Sequence, residues 1–274
     1  MPEGDTVHLA ARRLDAALRG RSIIRSDLRV PEFATTDLSG RRVLEISARG
    51  KHTLFRFDGD LTLHTHYKME GSWHLYRRGE RWRGPGFQVR AVLETSDRVA
   101  VGFRLAITEL IPTSSEAMVL GHLGPDPLGD DWDLDVAVQR LGREPTRPIG
   151  EALIDQRNVA GFGNVYKSEM CFLRGVDPWT PVEDVDPRAM LELGKRLMDV
   201  NRDTGQQITT GDERPGRKQW VYGRGGRPCR RCGTLIRRAY PTGERVTYWC
   251  PTCQPRPAGG IAVVQTGYSG ERTE

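Results

Sequence analysis

Long apolar runs are missing from this sequence. No stretch approaches the ~18 apolar residues that cross a membrane as a helix. The opening residues, MPEGDTVHLAARRL, lack the apolar core of a secretory leader. The expected location is therefore cytoplasmic, with no membrane partner. Cysteine is scarce and odd in number: five in 274 residues, four of them clustered late in the chain and Cys171 apart. In a reducing compartment, four clustered thiols point to a metal rather than to disulfides. Internal repeats are absent as well. Neither charge sign dominates, since 41 Lys and Arg stand against 36 Asp and Glu, a net charge of +5. That mild excess suits a polyanionic partner without identifying one.

What is present reads as two modest domains. Val7, Ala10, Ala11, Leu14, Ala17 and Leu18 follow helical spacing, and Gly20 ends the run. From Arg41 to about Leu110 the texture turns to short, often alternating segments such as HTLFRF, LTLHTH and FQVRAVLET, with turn chemistry at Asp58-Gly59 and around Ser96-Asp97. The expectation is an α+β multidomain chain. Its N-terminal β-sandwich, with a leading helix, occupies residues 1–112, and a Pro-, Gly- and Asp-rich linker occupies 113–132. Helical spacing returns over roughly 134–141, 148–155, 163–174 and 187–203, inside a helical domain of residues 133–223. A β-hairpin finger is expected at 224–254, and the tail 255–274 has no clear periodicity and is expected to be disordered in part.

The finger carries the most specific spacing. Cys229-Arg-Arg-Cys232 is followed, after 17 residues, by Cys250-Pro-Thr-Cys253. Two such knuckles can wrap one tetrahedral Zn²⁺ with four thiolates, a closed and therefore structural site. So small a segment has little core, so metal binding would supply much of its folding energy. Arg230, Arg231, Arg237, Arg238 and Arg245 make the finger basic, fit for phosphates. A zinc ribbon used only for protein contacts fits the finger alone equally well.

The N-terminus points to chemistry. Removal of Met1 would leave Pro2 as a free secondary amine, able to attack the anomeric carbon of a deoxyribose. An α-amine has a pKa near ~8 and is partly neutral at cellular pH. The positive end of the following helix disfavours the ammonium further. Glu3 beside it can move protons. By itself a Met-Pro start is usually nothing more than a helix N-terminus.

Four segments in order are more specific: MPEGDTV, ARGKHTL around Lys51, QRNVAGFGNVYKSE at 156–169, and the four-cysteine finger. Together they resemble the formamidopyrimidine-DNA glycosylase/endonuclease VIII family over residues 1 to about 254. The Pro-Glu-Gly start is closer to the endonuclease VIII branch, and the length and texture resemble its actinobacterial members. The resemblance implies a bifunctional DNA glycosylase and abasic-site lyase of base excision repair. Such an enzyme removes oxidised bases, pyrimidines first, through a Schiff base and cuts the strand by β,δ-elimination. The alternative is a catalytically weak damaged-DNA binder of the same fold acting mainly on abasic sites.

Residue by residue, the resemblance makes Pro2 the nucleophile, Glu3 the acid/base residue, and Lys51 a lysine that reaches the lesion's phosphate and sugar. It makes Asn164 and Arg245 phosphate contacts. Asn164 opens a helix after Gly161-Phe-Gly163 and also reads as a good N-cap. Met69, in HYKMEGSW, matches the wedge that fills the gap left by an extruded nucleotide. As a plain residue it would be a core methionine. Its neighbours Lys68 and Glu70 depart from the family pattern. The loop between knuckles is about one residue longer than in relatives, with the insertion before Gly243. Glu169 reads as orienting rather than catalytic, and Cys171 as core. One structural Zn²⁺ on Cys229, Cys232, Cys250 and Cys253, damaged DNA as partner, a monomeric state and nucleoid association in a bacterial cell complete the expectation. No redox cofactor or catalytic metal is required.

Overall fold

The computed structural model describes residues 2–240 and 245–256. The chain divides into two compact units. The first contains the residues up to Trp132 together with 198–205; the second contains 133–197 and everything from Gln206 onward. Met1, the expected insertion before Gly243 and nearly all of the tail (257–274) lie outside the described residues.

The first unit begins with α1 (Gly4–Leu18), then β1 (Arg25–Leu28), β2 (Val43–Arg49), β3 (His52–Phe57), β4 (Leu61–His66), β5 (Ser72–Arg77), β6 (Val89–Glu94), β7 (Arg98–Phe103), β8 (Ile107–Ile111) and the short α2 (Glu116–Leu120). Two antiparallel four-stranded sheets form, in the orders β1-β6-β7-β5 and β2-β3-β4-β8. Strand alternation sends Phe55, Phe57 and Leu63 from one sheet, and Trp73, Leu93 and Ala100 from the other, into a shared core. The apolar stripe of α1, Val7, Ala11, Leu14 and Leu18, joins that core. Asp15 on the polar side of α1 accepts the backbone N–H of Ile46 at 2.7 Å and so fixes the helix against β2. The expected sandwich with a leading helix is what forms.

Two features were not expected. α2 folds inside the stretch read as linker, and Glu116 on it grips Arg56 of β3 through two bonds, of 2.9 and 2.7 Å. The outer face of β2-β3-β4-β8 is thus polar yet covered. β1 also lies outside the predicted strand region; its sequence RSDL is too polar to announce a strand, and it is tolerated at a sheet edge.

In the second unit, α3 (Leu134–Leu141), α4 (Ile149–Ile154), α5 (Asn164–Arg174) and α6 (Pro187–Asn201) precede a hairpin of β9 (Arg237–Ala239) and β10 (Thr247–Trp249). Asp133 caps α3 by accepting from Val136 N–H at 3.0 Å. Gly175, in the left-handed region at φ 69°, ends α5. The last residues of α6 belong to the first unit, although the sequence reads them with the helical domain. A small core of Phe172, Val221, Cys229, Ile236 and Cys250 joins α5 to the finger, which therefore leans on a helix rather than standing alone.

Candidate active site and nucleic-acid interface

In the first unit, Pro2 is half-buried immediately ahead of Glu3, which is wholly buried at the N-cap of α1. The Glu3 carbonyl accepts the Val7 N–H at 3.0 Å, so its backbone belongs to the helix start. A buried carboxylate at a helix N-terminus sits in a favourable field.

Lys51 occupies a two-residue loop between β2 and β3, closed by the Arg49–His52 pair. Gly50 takes φ 56°, which a side chain would resist, so the glycine is what makes so tight a loop available. The loop is clamped from below: the Gly50 N–H donates to Asp126 at 2.6 Å, and the same carboxylate accepts from Leu128 N–H at 2.9 Å. Burial pulls the Asp126 pKa up against those two donors. Asp126 also lies close enough to His8 of α1 to act on it electrostatically, while burial pulls the His8 pKa down. Asp126 therefore bonds the Lys51 loop and lies within electrostatic range of His8, in the second turn of α1. Lys51 itself is only 8% exposed, unlike a solvated turn lysine.

Met69 stands in the turn between β4 and β5, 53% exposed, which removes the core reading. Beside it Lys68 takes φ 46°, and its N–H donates to His66 Nδ1 at 2.9 Å. A left-handed non-glycine residue is uncommon and marks a backbone held by its surroundings. Arg104, also left-handed at φ 48°, pairs with Glu70 at 3.4 Å. The sequence gives no signal for Arg104, because its link to the Met69 turn spans 34 residues.

In the second unit, Asn164 is the first residue of α5; the N-cap is Gly163, so the expected capping role is corrected. The Asn164 side chain is buried and donates its amide to the carbonyl of Val246 at 2.6 Å. One helical turn on, Lys167 Nζ donates to the Thr247 hydroxyl at 2.7 Å. The start of α5 thereby holds the backbone directly after the exposed Arg245, bringing two expected phosphate contacts to one place. Glu169 is buried and accepts from the N–H groups of Trp220, Val221 and Tyr222, each at 2.8 Å, and from the Thr209 hydroxyl. Its role is to organise the segment before the finger. Cys171 is fully buried, and burial pushes its thiol pKa up to about 12, as suits a core residue.

The four finger sulfurs all lie within 4.8 Å of one another. Cys229–Cys253 and Cys232–Cys250 are 3.9 and 3.4 Å apart. A tetrahedral ion with ~2.3 Å metal–sulfur bonds sets sulfurs about 3.8 Å apart, so the cluster fits one metal ion. Two of the five finger arginines have internal duties. Arg230 donates to the carbonyls of Gln219 and Gly216 at 3.2 and 2.6 Å, and Arg231 lies 4.6 Å over the Phe172 ring. After the second knuckle, Gln254 accepts from Cys250 N–H and donates to Val176 C=O, both at 2.8 Å, and Arg256 lies over Trp179 beside Asp177.

Comparison with known proteins agrees with this architecture. Residues 1–105 match the formamidopyrimidine-DNA glycosylase N-terminal domain, and 123–209 match the formamidopyrimidine-DNA glycosylase H2TH domain. A "probable endonuclease 8 2" of Streptomyces coelicolor is 53% identical, over 96% of this chain and 99% of its own. The "DNA-(apurinic or apyrimidinic site) lyase Nei2" of Mycolicibacterium smegmatis is 48% identical, over 93% and 99%. A Lactococcus lactis formamidopyrimidine-DNA glycosylase, solved non-covalently bound to DNA containing an abasic site, superposes with a TM-score of 0.76 at 25% identity, over 93% of this chain and all of that one. The chain belongs to the formamidopyrimidine-DNA glycosylase family, alongside the actinobacterial endonuclease 8 proteins.

Proposed function

We propose that this chain is a bifunctional DNA glycosylase and abasic-site lyase of base excision repair, working as a monomer on damaged DNA at the nucleoid. The observation that carries the reading is the half-buried Pro2 directly ahead of the buried Glu3 at the start of α1, in a chain 48% identical to a protein named as an abasic-site lyase. With Met1 removed, the Pro2 nitrogen attacks C1′ of an extruded nucleotide and the glycosidic bond breaks. Glu3 handles the accompanying proton at the sugar ring, and an iminium joins Pro2 to C1′. Loss of a C2′ proton expels the 3′ phosphate, and a second elimination expels the 5′ phosphate. Lys51, on the loop whose backbone Asp126 clamps at Gly50, holds phosphate and sugar in place.

Asn164, through its second amide N–H, and Arg245 hold the flanking backbone, and Met69 enters the base stack where the nucleotide has left. The four cysteines hold Zn²⁺, whose part is to fix the hairpin that carries Arg245. Oxidised pyrimidines are the proposed base substrates, as the resemblance of the Pro-Glu-Gly start to the endonuclease VIII branch implies.

Borohydride reduction on a DNA oligomer with one abasic site tests the reading. The wild-type chain should form a covalent adduct, and Pro2→Gly should bind without forming one. Adduct formation by a chain that retains Met1 would refute the assignment. An oligomer panel carrying single oxidised pyrimidines separates base excision from action on abasic sites alone.

A further inference from the structure

A second constellation sits on the covered outer face of β2-β3-β4-β8, and the chemistry above makes no use of it. Strand register places His52 opposite His66, and His64 opposite Glu109. The side chains connect in a line: His52 Nδ1 to His64 Nε2 at 2.7 Å, then His64 Nδ1 to Glu109 Oε1 at 2.7 Å. The His64 side chain is 1% exposed and that of Glu109 is 37% exposed. One end of the line therefore reaches solvent, and the other begins at the residue directly after Lys51.

Proton positions follow from the donors and acceptors. A carboxylate only accepts, so His64 carries its proton on Nδ1. With one proton on its ring, His64 accepts at Nε2, and His52 then carries its proton on Nδ1 as well. The lone pair of His52 Nε2 is left bare, with no hydrogen bond among the described residues. The groups facing His52 are Lys51 on the loop, His64 and His66 on β4, and His122 beyond α2. Together with burial, which is the largest influence, they hold the His52 pKa down at about 2. His52 alone is thus a poor place for a charge. The line supplies a better one. A proton arriving at His52 Nε2 forms a new N–H bond there, and the Nδ1 proton passes to His64 Nε2. His52 ends neutral and His64 ends as an imidazolium against the Glu109 carboxylate. The charge comes to rest one ring further from the Lys51 ammonium, beside an opposite charge.

We propose that Glu109, His64 and His52 form a proton relay beside Lys51 that takes up one proton while the lyase reaction proceeds. The inference rests on the proposed function. The three side chains are positioning residues that act through the groups and water around Lys51.

Two measurements test it. Long-range ¹H–¹⁵N spectra of the histidine rings in the full chain near neutral pH, assigned with His52→Gln and His64→Gln, should show the Nδ1–H tautomer for both rings. An Nε2–H tautomer at either ring overturns the relay, whatever the enzyme does. Single-turnover cleavage of a preformed abasic site, followed across pH, tests the role. Glu109→Gln keeps the side chain's shape but removes the counter-charge. It should slow cleavage roughly tenfold and move the acid-side midpoint of the profile to lower pH. DNA affinity and the protein's melting should stay near wild type. An unchanged rate and profile, or a loss explained wholly by unfolding, overturns the relay while the proposed function stands. A wild-type chain that neither cleaves nor traps overturns the proposed function, and the relay's role falls with it.

Discussion

Glu169 offers a sharp test of the forces that build the second unit. Its carboxylate accepts three consecutive backbone N–H groups, from Trp220, Val221 and Tyr222, and the Thr209 hydroxyl. Glu169→Ala removes every acceptor at once. Val221 is fully buried, so its N–H loses a partner with no water to replace it, at about 1–3 kcal/mol. Trp220 and Tyr222 are half-buried and admit water in part, adding about 1 kcal/mol each. Relief from burying a charge returns some of this, leaving a loss of about 3 kcal/mol. Glu169→Gln fills the same space, but its amide nitrogen must face at least one backbone N–H whichever way it turns, that of Trp220 or those of Val221 and Tyr222, so about half the loss, ~1.5 kcal/mol, should remain. Urea unfolding followed by tryptophan fluorescence reads both, because Trp220 stacks on Phe172 and its indole donates to the Thr209 carbonyl. If Glu169→Ala lies within about 1 kcal/mol of wild type, the carboxylate is not what holds 220–222 in place and the reasoning fails.

Other expectations follow from the same structure. Cys250→Ser, or a strong chelator, should loosen the hairpin and abolish DNA binding while the first unit keeps its melting transition; atomic absorption should find one zinc per wild-type chain and less than one in the variant, and a wild-type chain without zinc would refute the proposed metal. Asn164→Ala and Arg245→Ala should each weaken DNA binding for all sequences; Arg245→Ala should also flatten its dependence on salt, whereas the uncharged Asn164 should leave the slope alone, and unchanged affinity for both would remove them from the phosphate interface. His52 is neutral in the folded chain down to about pH 2 but titrates near 6.5 when unfolded. The unfolded state therefore binds the extra proton, and stability, complete above pH 6.5, falls by at most about 1.4 kcal/mol per unit below it. His52→Gln should flatten that slope in urea titrations from pH 7 to 5.

What the sequence revealed depended on the range of the forces involved. α1 was legible because its apolar spacing and the terminating Gly20 lie within a few positions of each other, and α3 and α5 because their apolar spacing is local too. The cysteine spacing was legible for the same reason. The polar outer face was not. Arg56 and Glu116 are 60 residues apart, and His64 and Glu109 are 45 apart; nothing in a local window marks such pairs. β1 and α2 lacked the periodicity that a strand or helix announces, and tertiary contacts decided both. Asn164 was found by motif, yet its contact to the Val246 carbonyl could not be, because the motif says nothing about a carbonyl 82 residues away. Arg230 and Arg231 read as surface charge until their carbonyl and ring partners came into view.

The bonding around Gln254 and Arg256 sets the minimum length of a working finger. A version trimmed just after Cys253 keeps all four sulfurs but strips the amide bridging Cys250 to Val176 and the guanidinium resting on Trp179. The last ligand is therefore not the last structural residue. Anyone shortening this protein, or fusing another domain to it, should place the junction beyond Arg256.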